Sequence, residues 1–181
     1  MRLKAMAKIN LGLDVLGKRE DGYHEVRMIM QTIRMYDILD IRKTRRPGIV
    51  LTTNLPFIPT DQRNLVYKAA QMLMEEFDVE EGLSIKLRKF IPVAAGMAGG
   101  SSDAAAAFVG VNRMFHLGLT EEQLMERAVK VGADVPYCIM RGTALAEGIG
   151  EKLTRLPEVP KCYVLIGKPG SMFPQKQPMR I

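Results

Sequence analysis

Pro92-Val93-Ala94-Ala95-Gly96-Met97-Ala98-Gly99-Gly100-Ser101-Ser102-Asp103 is the stretch on which the reading of this chain turns. Before it, Leu83, Ile85 and Leu87 alternate with other residues, the period-two mark of a strand with one buried face. After it, Asp103 to Phe115 is alanine-rich and free of proline, which predicts a helix. The stretch is therefore a strand-to-helix junction. A helix start exposes backbone N–H groups without partners and the positive end of the helix dipole. Glycines let that backbone approach a ligand closely, and serines add hydroxyl donors. The expected product is an anion cradle suited to phosphate. Two better-known phosphate loops do not fit. No lysine precedes Ser101, as a P-loop requires, and Gly96, Gly99 and Gly100 lack the G-x-G-x-x-G spacing. A tight turn with small residues for close packing is the alternative.

Upstream, Ile9, Leu11, Leu13 and Val15 alternate as a strand, and Gly17 to Gly22 is a polar turn. Val26, Met28 and Met30 alternate again, and Ile38 and Ile41 predict a third strand, so the sheet begins antiparallel. Pro47 to Pro59 reads as a surface connection. From Asn64 to Phe77, Leu65, Ala69, Met72, Leu73 and Phe77 fall on one helical face, capped by Asp61 or Asn64 and ended by Gly82. Downstream, Thr120 and Gln123 are spaced as a capping box for a helix ending near Gly132. Thr143–Ala146 and Tyr163–Ile166 are the last strand candidates. Strands and helices alternate irregularly, so the expected class is α+β.

The chain has 181 residues, 47% of them hydrophobic and 25% charged, an ordinary globular composition that needs no disulfide or metal to hold a core. No apolar run is long enough to span a membrane, and none opens the chain as a signal peptide would. Cys138 and Cys162 read as reduced, packed thiols of a cytoplasmic protein. The formal net charge of +6 favours anionic partners, among them nucleotides, phosphorylated metabolites and RNA. Its densest run, Arg42, Lys43, Arg45 and Arg46, reads as a solvated turn.

Pro-x-x-x-Gly-x-x-x-Gly-Ser-Ser leading into an alanine-rich helix resembles the second motif of the GHMP kinases. Three further stretches, Ala7-Lys8-Ile9-Asn10-Leu11, Arg19-Glu20-Asp21-Gly22-Tyr23-His24 and Gly132-Ala133-Asp134-Val135-Pro136, resemble one branch of that family. That branch phosphorylates a cytidyl diphosphate alcohol of the non-mevalonate isoprenoid route, with ATP and Mg²⁺ as cofactors. The resemblance implies an N-terminal GHMP domain of the ribosomal protein S5 domain 2-like type. Such a domain has a mixed or antiparallel sheet with helices packed on one side. It further implies that Asp134 is the catalytic base toward the acceptor hydroxyl and that Lys8 stands beside it to stabilise negative charge. Asn10, Tyr23 and His24 match substrate-binding positions, the last two near the cytosine. Pro92 to Ser102 match the ATP loop, with Ser101 and Ser102 as the side chains touching phosphate. The metal ligands are unassigned. Without the resemblance, Asp134 reads as a turn residue and Lys8 as a charge at a strand edge.

The resemblance runs from Leu3 to about Gly170 and then stops. Residues 1–170 are accordingly expected to form the N-terminal domain. Ser171 to Ile181 is expected to be an out-of-frame tail, with the family's second domain missing and little or no kinase activity in this chain. Another GHMP kinase, or a basic S5-like RNA-binding module, is the competing reading. The strands lack the interleaved aromatics of an RNA-stacking sheet, so no nucleic-acid or membrane partner is expected.

Overall fold

The computed structural model describes residues 1–20 and 22–167. The tail expected over 171–181 lies outside the described residues, as does Asp21. Among the described residues ten elements follow in order. They are β1 (Arg2–Lys18), β2 (His24–Thr44), β3 (Ile49–Thr53), α1 (Leu65–Glu76) and β4 (Gly82–Arg88), then α2 (Gly99–Phe115), α3 (Glu121–Ala128), α4 (Val135–Met140), β5 (Thr143–Gly148) and β6 (Lys152–Arg155).

The sheet is built around β2. β1 pairs antiparallel with nearly its whole length, from Lys18↔His24 to Arg2↔Asp40. On the other edge β5 takes Val26 to Gln31 and β4 takes Ile38 to Thr44, both antiparallel. β3 pairs parallel with β4 through the α1 crossover, and β6 closes the far edge against β5. The sheet is thus mixed, and the α+β expectation holds.

The separate strands expected at Val26–Met30 and Ile38–Ile41 are one strand. The alternation breaks between them because the β1–β2 register shifts between Met6 and Lys8, and because β2 changes partner there from β5 to β4.

The helices cover one face. α2 lies against β1 and β2 with α1 and α4 beside it, and α3 packs on α4. Small residues allow the close approach: Ala104 to Ala107 are all buried, with Phe108 and Val111 filling the space between helix and sheet. Leu39, Ile41, Leu83, Ile85 and Leu87 supply the sheet side of the same core.

The caps are as expected in two places. Asn64 accepts from the Val66 N–H at 2.9 Å, and Thr120 and Gln123 form a reciprocal capping box. Asp61 instead pairs with Arg63.

Four other expectations are corrected. Within the stretch read as a surface connection, Ile49–Thr53 is strand β3. The α2 helix starts at Gly99, not Asp103. Tyr163–Ile166 form no strand: Tyr163 and Leu165 are fully exposed, and the chain instead turns at Gly148 and Gly150, both at positive φ, to place β6 on β5. Cys162 is exposed, while Cys138 is buried.

Gly82 does not end α1, whose cap is Phe77. It opens β4 where the backbone is crowded: a Cβ there would lie 1.8 Å from the Arg46 carbonyl oxygen and 2.4 Å from Thr44 Oγ1. The nearer clash is with main chain, so it cannot be relieved by a rotamer change. Gly82→Ala is expected to cost about 1–3 kcal/mol or more, the scale of overpacking. Urea unfolding checks this, and an unchanged midpoint would show that the β2–β3 turn gives way freely.

Candidate active site

The junction singled out in the sequence forms one wall of a cleft of about 630 Å³. β4 ends at Arg88 and α2 begins at Gly99. The loop between is held in an uncommon shape. Ala94 and Ala98 sit at φ +54° and Gly96 at φ +70°, left-handed backbone that alanine adopts only at a cost. The Met97 carbonyl accepts the Lys8 N–H at 3.1 Å, tying the loop to β1. Ala98 caps α2 with no side-chain hydrogen bond, so the N–H groups of the first turn are free to meet an anion.

Lys8 and Asp134 face this wall. Lys8 enters from β1, its side chain only 6% exposed, and donates to Asn10 Oδ1 at 3.0 Å. Asp134 stands at the start of α4, one-third exposed, with Oδ2 at 3.7 Å from Lys8 Nζ. It makes no cap bond with its own helix, so its carboxylate stays available to the cleft. Read from sequence alone as a turn residue, Asp134 is the N-cap of a short helix that periodicity does not reveal.

Of the residues the sequence points to, Lys8, Asn10, Pro92 to Ser101 and Asp134 line this single cleft. Ser102 does not. It is buried, and its hydroxyl donates to the Gly99 carbonyl at 3.0 Å. Tyr23, 60% exposed, and half-buried His24 lie at the far end of the β1–β2 hairpin and do not line the cleft. Buried Tyr137 bonds Thr32 Oγ1 and the Gly142 carbonyl, which fixes the far end of α4; burial raises its hydroxyl to about 12.

Three further residues escape sequence reasoning. Lys89 donates to Asp37 Oδ2 and, at 2.6 Å, to Asp103 Oδ2, all three being at most 8% exposed. Asp37 Oδ1 also accepts the N–H groups of Phe90 and of Ile91, the latter at 2.8 Å. A strand charge, a residue after a strand and an aspartate in a helix carry no local signal of meeting. The pairing of β2 with β4 and the packing of α2 on the sheet bring them together.

Among the described residues no three His, Cys, Asp or Glu side chains gather to hold a metal. No helix among them is long and apolar enough to cross a membrane.

Residues 64–142 match the family model of the GHMP kinases N terminal domain. The chain is 57% identical over 169 residues to the 4-diphosphocytidyl-2-C-methyl-D-erythritol kinase of Lachnospira eligens, covering 93% of this chain and 59% of that protein. It is 59% identical over 167 residues to that of Lachnoclostridium phytofermentans, covering 92% and 57%. The chain thus spans somewhat under three fifths of the length of these relatives. A crystal structure of 4-(cytidine 5'-diphospho)-2C-methyl-D-erythritol kinase superposes with a TM-score of 0.75 at 35% identity, over 86% of this chain and 55% of the other. Mevalonate kinase of Methanococcus jannaschii superposes at 0.66 with 15% identity, over 87% and 56%, which speaks for the fold alone. The fold, the matched residues and this degree of identity agree: over the described residues the chain has the fold of the GHMP kinases N terminal domain.

Proposed function

We propose that the protein carrying this domain transfers the γ-phosphoryl group of ATP to the 2-hydroxyl of 4-diphosphocytidyl-2-C-methyl-D-erythritol. The observation that carries the proposal is the Lys8–Asp134 pair, 3.7 Å apart, facing an uncapped helix start across one cleft. Phosphoryl transfer asks mainly for positioning and charge stabilisation, and this arrangement offers both.

Pro92 to Ser101 cradle the nucleotide phosphates, with the N–H groups at the start of α2 as donors. Asp134 takes the proton of the acceptor hydroxyl as its oxygen attacks phosphorus. Lys8, already oriented by Asn10, balances negative charge on the reacting oxygens. Mg²⁺ supplies Lewis-acid charge neutralisation on the phosphates when bound. It takes most of its ligands from phosphate and water, so a cleft with one available carboxylate, Asp134, suits it. Asn10 contacts the substrate, while Tyr23 and His24 serve the cytosine only if the ligand reaches along the hairpin. Both cysteines are free, in keeping with a cytoplasmic location.

A coupled ADP-release assay tests this, run on this chain and on the domain carried at its relatives' length. ADP release with 4-diphosphocytidyl-2-C-methyl-D-erythritol, and none with mevalonate or homoserine, is the expected result. Equal release with mevalonate would sink the substrate assignment.

A further inference from the structure

The Lys89–Asp37–Asp103 cluster has no part in the chemistry just described, yet it lies directly under the phosphate cradle. A Cβ at Gly99 would stand 3.1 Å from Lys89 Nζ, so the first turn of α2 rests on that ammonium. One ammonium meets two carboxyl groups. If both were ionised, the cluster would hold a net negative charge away from water, where an uncompensated charge is costly. That charge would also lie beneath the backbone that receives an anion.

The hydrogen bonds distinguish the two carboxyls. Asp37 is satisfied on both oxygens, by Lys89 on one and by the Phe90 and Ile91 N–H groups on the other. Asp103 is not: Oδ2 accepts from Lys89, while buried Oδ1 has no partner. A proton on Oδ1 removes the excess charge and leaves Oδ2 for Lys89.

Burial, above all, pushes the Asp103 carboxyl well above the usual carboxylate range; Lys89 pulls it down and Asp37 pushes it up again. The other charged groups facing this space do not supply a counter-ion. Lys8 and Asp134 pair with each other across the cleft, and Arg63 at its rim pairs with Asp61.

We propose that Asp103 is a positioning residue of the phosphate cradle that works as a neutral carboxyl: it holds Lys89 under Gly99 while adding no negative charge beneath the phosphates. The inference rests on the cradle assignment above.

The test uses the full chain and its Asp103→Asn, Asp103→Ala and Asp37→Asn variants. Calorimetry measures binding of inorganic tripolyphosphate near neutral pH, and thermal unfolding is recorded beside it. Asn copies a neutral carboxyl, so Asp103→Asn is expected to keep affinity within about threefold and Tm near the parent's. Asp37→Asn, which removes the ionised partner, lowers Tm well beyond that. Asp103→Ala releases Lys89 and weakens tripolyphosphate about tenfold.

Tighter binding by Asp103→Asn, by about tenfold, would show that a negative charge had been present and would overturn the proposal. Unchanged affinity in a folded Asp103→Ala variant overturns it as well. Should Asp103→Ala fail to fold, the comparison of the two Asn variants decides, and equal losses of Tm overturn the neutral assignment. A parent chain that binds no tripolyphosphate sinks the cradle and this inference together. Parent binding with either adverse Asp103 result leaves the cradle standing.

Discussion

With the domain carried at its relatives' length, Asp134→Asn is expected to lower turnover by about 10²–10⁴, the usual contribution of a general base, while leaving nucleotide and substrate affinity near the parent's. Asparagine copies the carboxylate's shape but cannot accept the acceptor's proton. The fold should tolerate the change for two reasons. Asp134 is one-third exposed and makes no cap bond to α4, and Lys8 keeps its 3.0 Å bond to Asn10 when the aspartate charge is gone. A variant that unfolds early would therefore be a surprise, and a thermal melt beside the ADP-release assay separates instability from lost chemistry. Near-parent turnover at saturating substrate would show that the hydroxyl needs no base here. Lys8 and the metal would then carry the charge stabilisation between them.

The strand-to-helix loop was legible because its signal is local. A strand pattern, a run of small residues and an alanine-rich helix stand next to one another in the chain, and the helix terminus does the rest. The capping boundaries at Asn64 and Thr120 were legible for the same reason, since each cap is a contact over two or three residues. The pairing of Lys8 with Asp134 was not, because it joins residues more than a hundred positions apart through the packing of α4 beside α2 and β1. Only the family resemblance brought them together.

β3 and α4 were hidden by their length of five and six residues, too short for a period to declare itself. The continuity of β2 was hidden by its change of partner from β5 to β4. Gly82 misled for an instructive reason: its lack of a side chain serves a close approach to the Arg46 carbonyl and not the end of a helix. The Lys89–Asp37–Asp103 cluster could not be read at all, since each partner comes from a different element.

Gly99→Val tests whether that crowding matters to the cradle. Gly99 is at an ordinary helical φ, so the glycine is required by space and not by backbone conformation. A Cβ would lie 3.1 Å from Lys89 Nζ and 3.2 Å from Ile91 Cγ2, and valine adds two methyl groups to a site where both neighbours are buried. Lys89 cannot swing aside without leaving Asp37 and Asp103, and Ile91 belongs to the small cluster with Ala7 and Met97 that backs the loop. The first turn of α2 must therefore lift, carrying its N–H groups away from the phosphates. A displacement of about 1 Å at a reacting group costs on the order of 10²-fold in rate, and that is the expected loss of turnover. ATP affinity should fall by about tenfold or more, since the donors themselves move. Gly99→Ala, with one methyl group to place, should fall between parent and valine. Calorimetric titration with ATP, paired with a thermal melt, makes the measurement. A folded Gly99→Val chain that binds ATP as tightly as the parent would mean that the phosphates lie elsewhere and that these glycines serve packing alone.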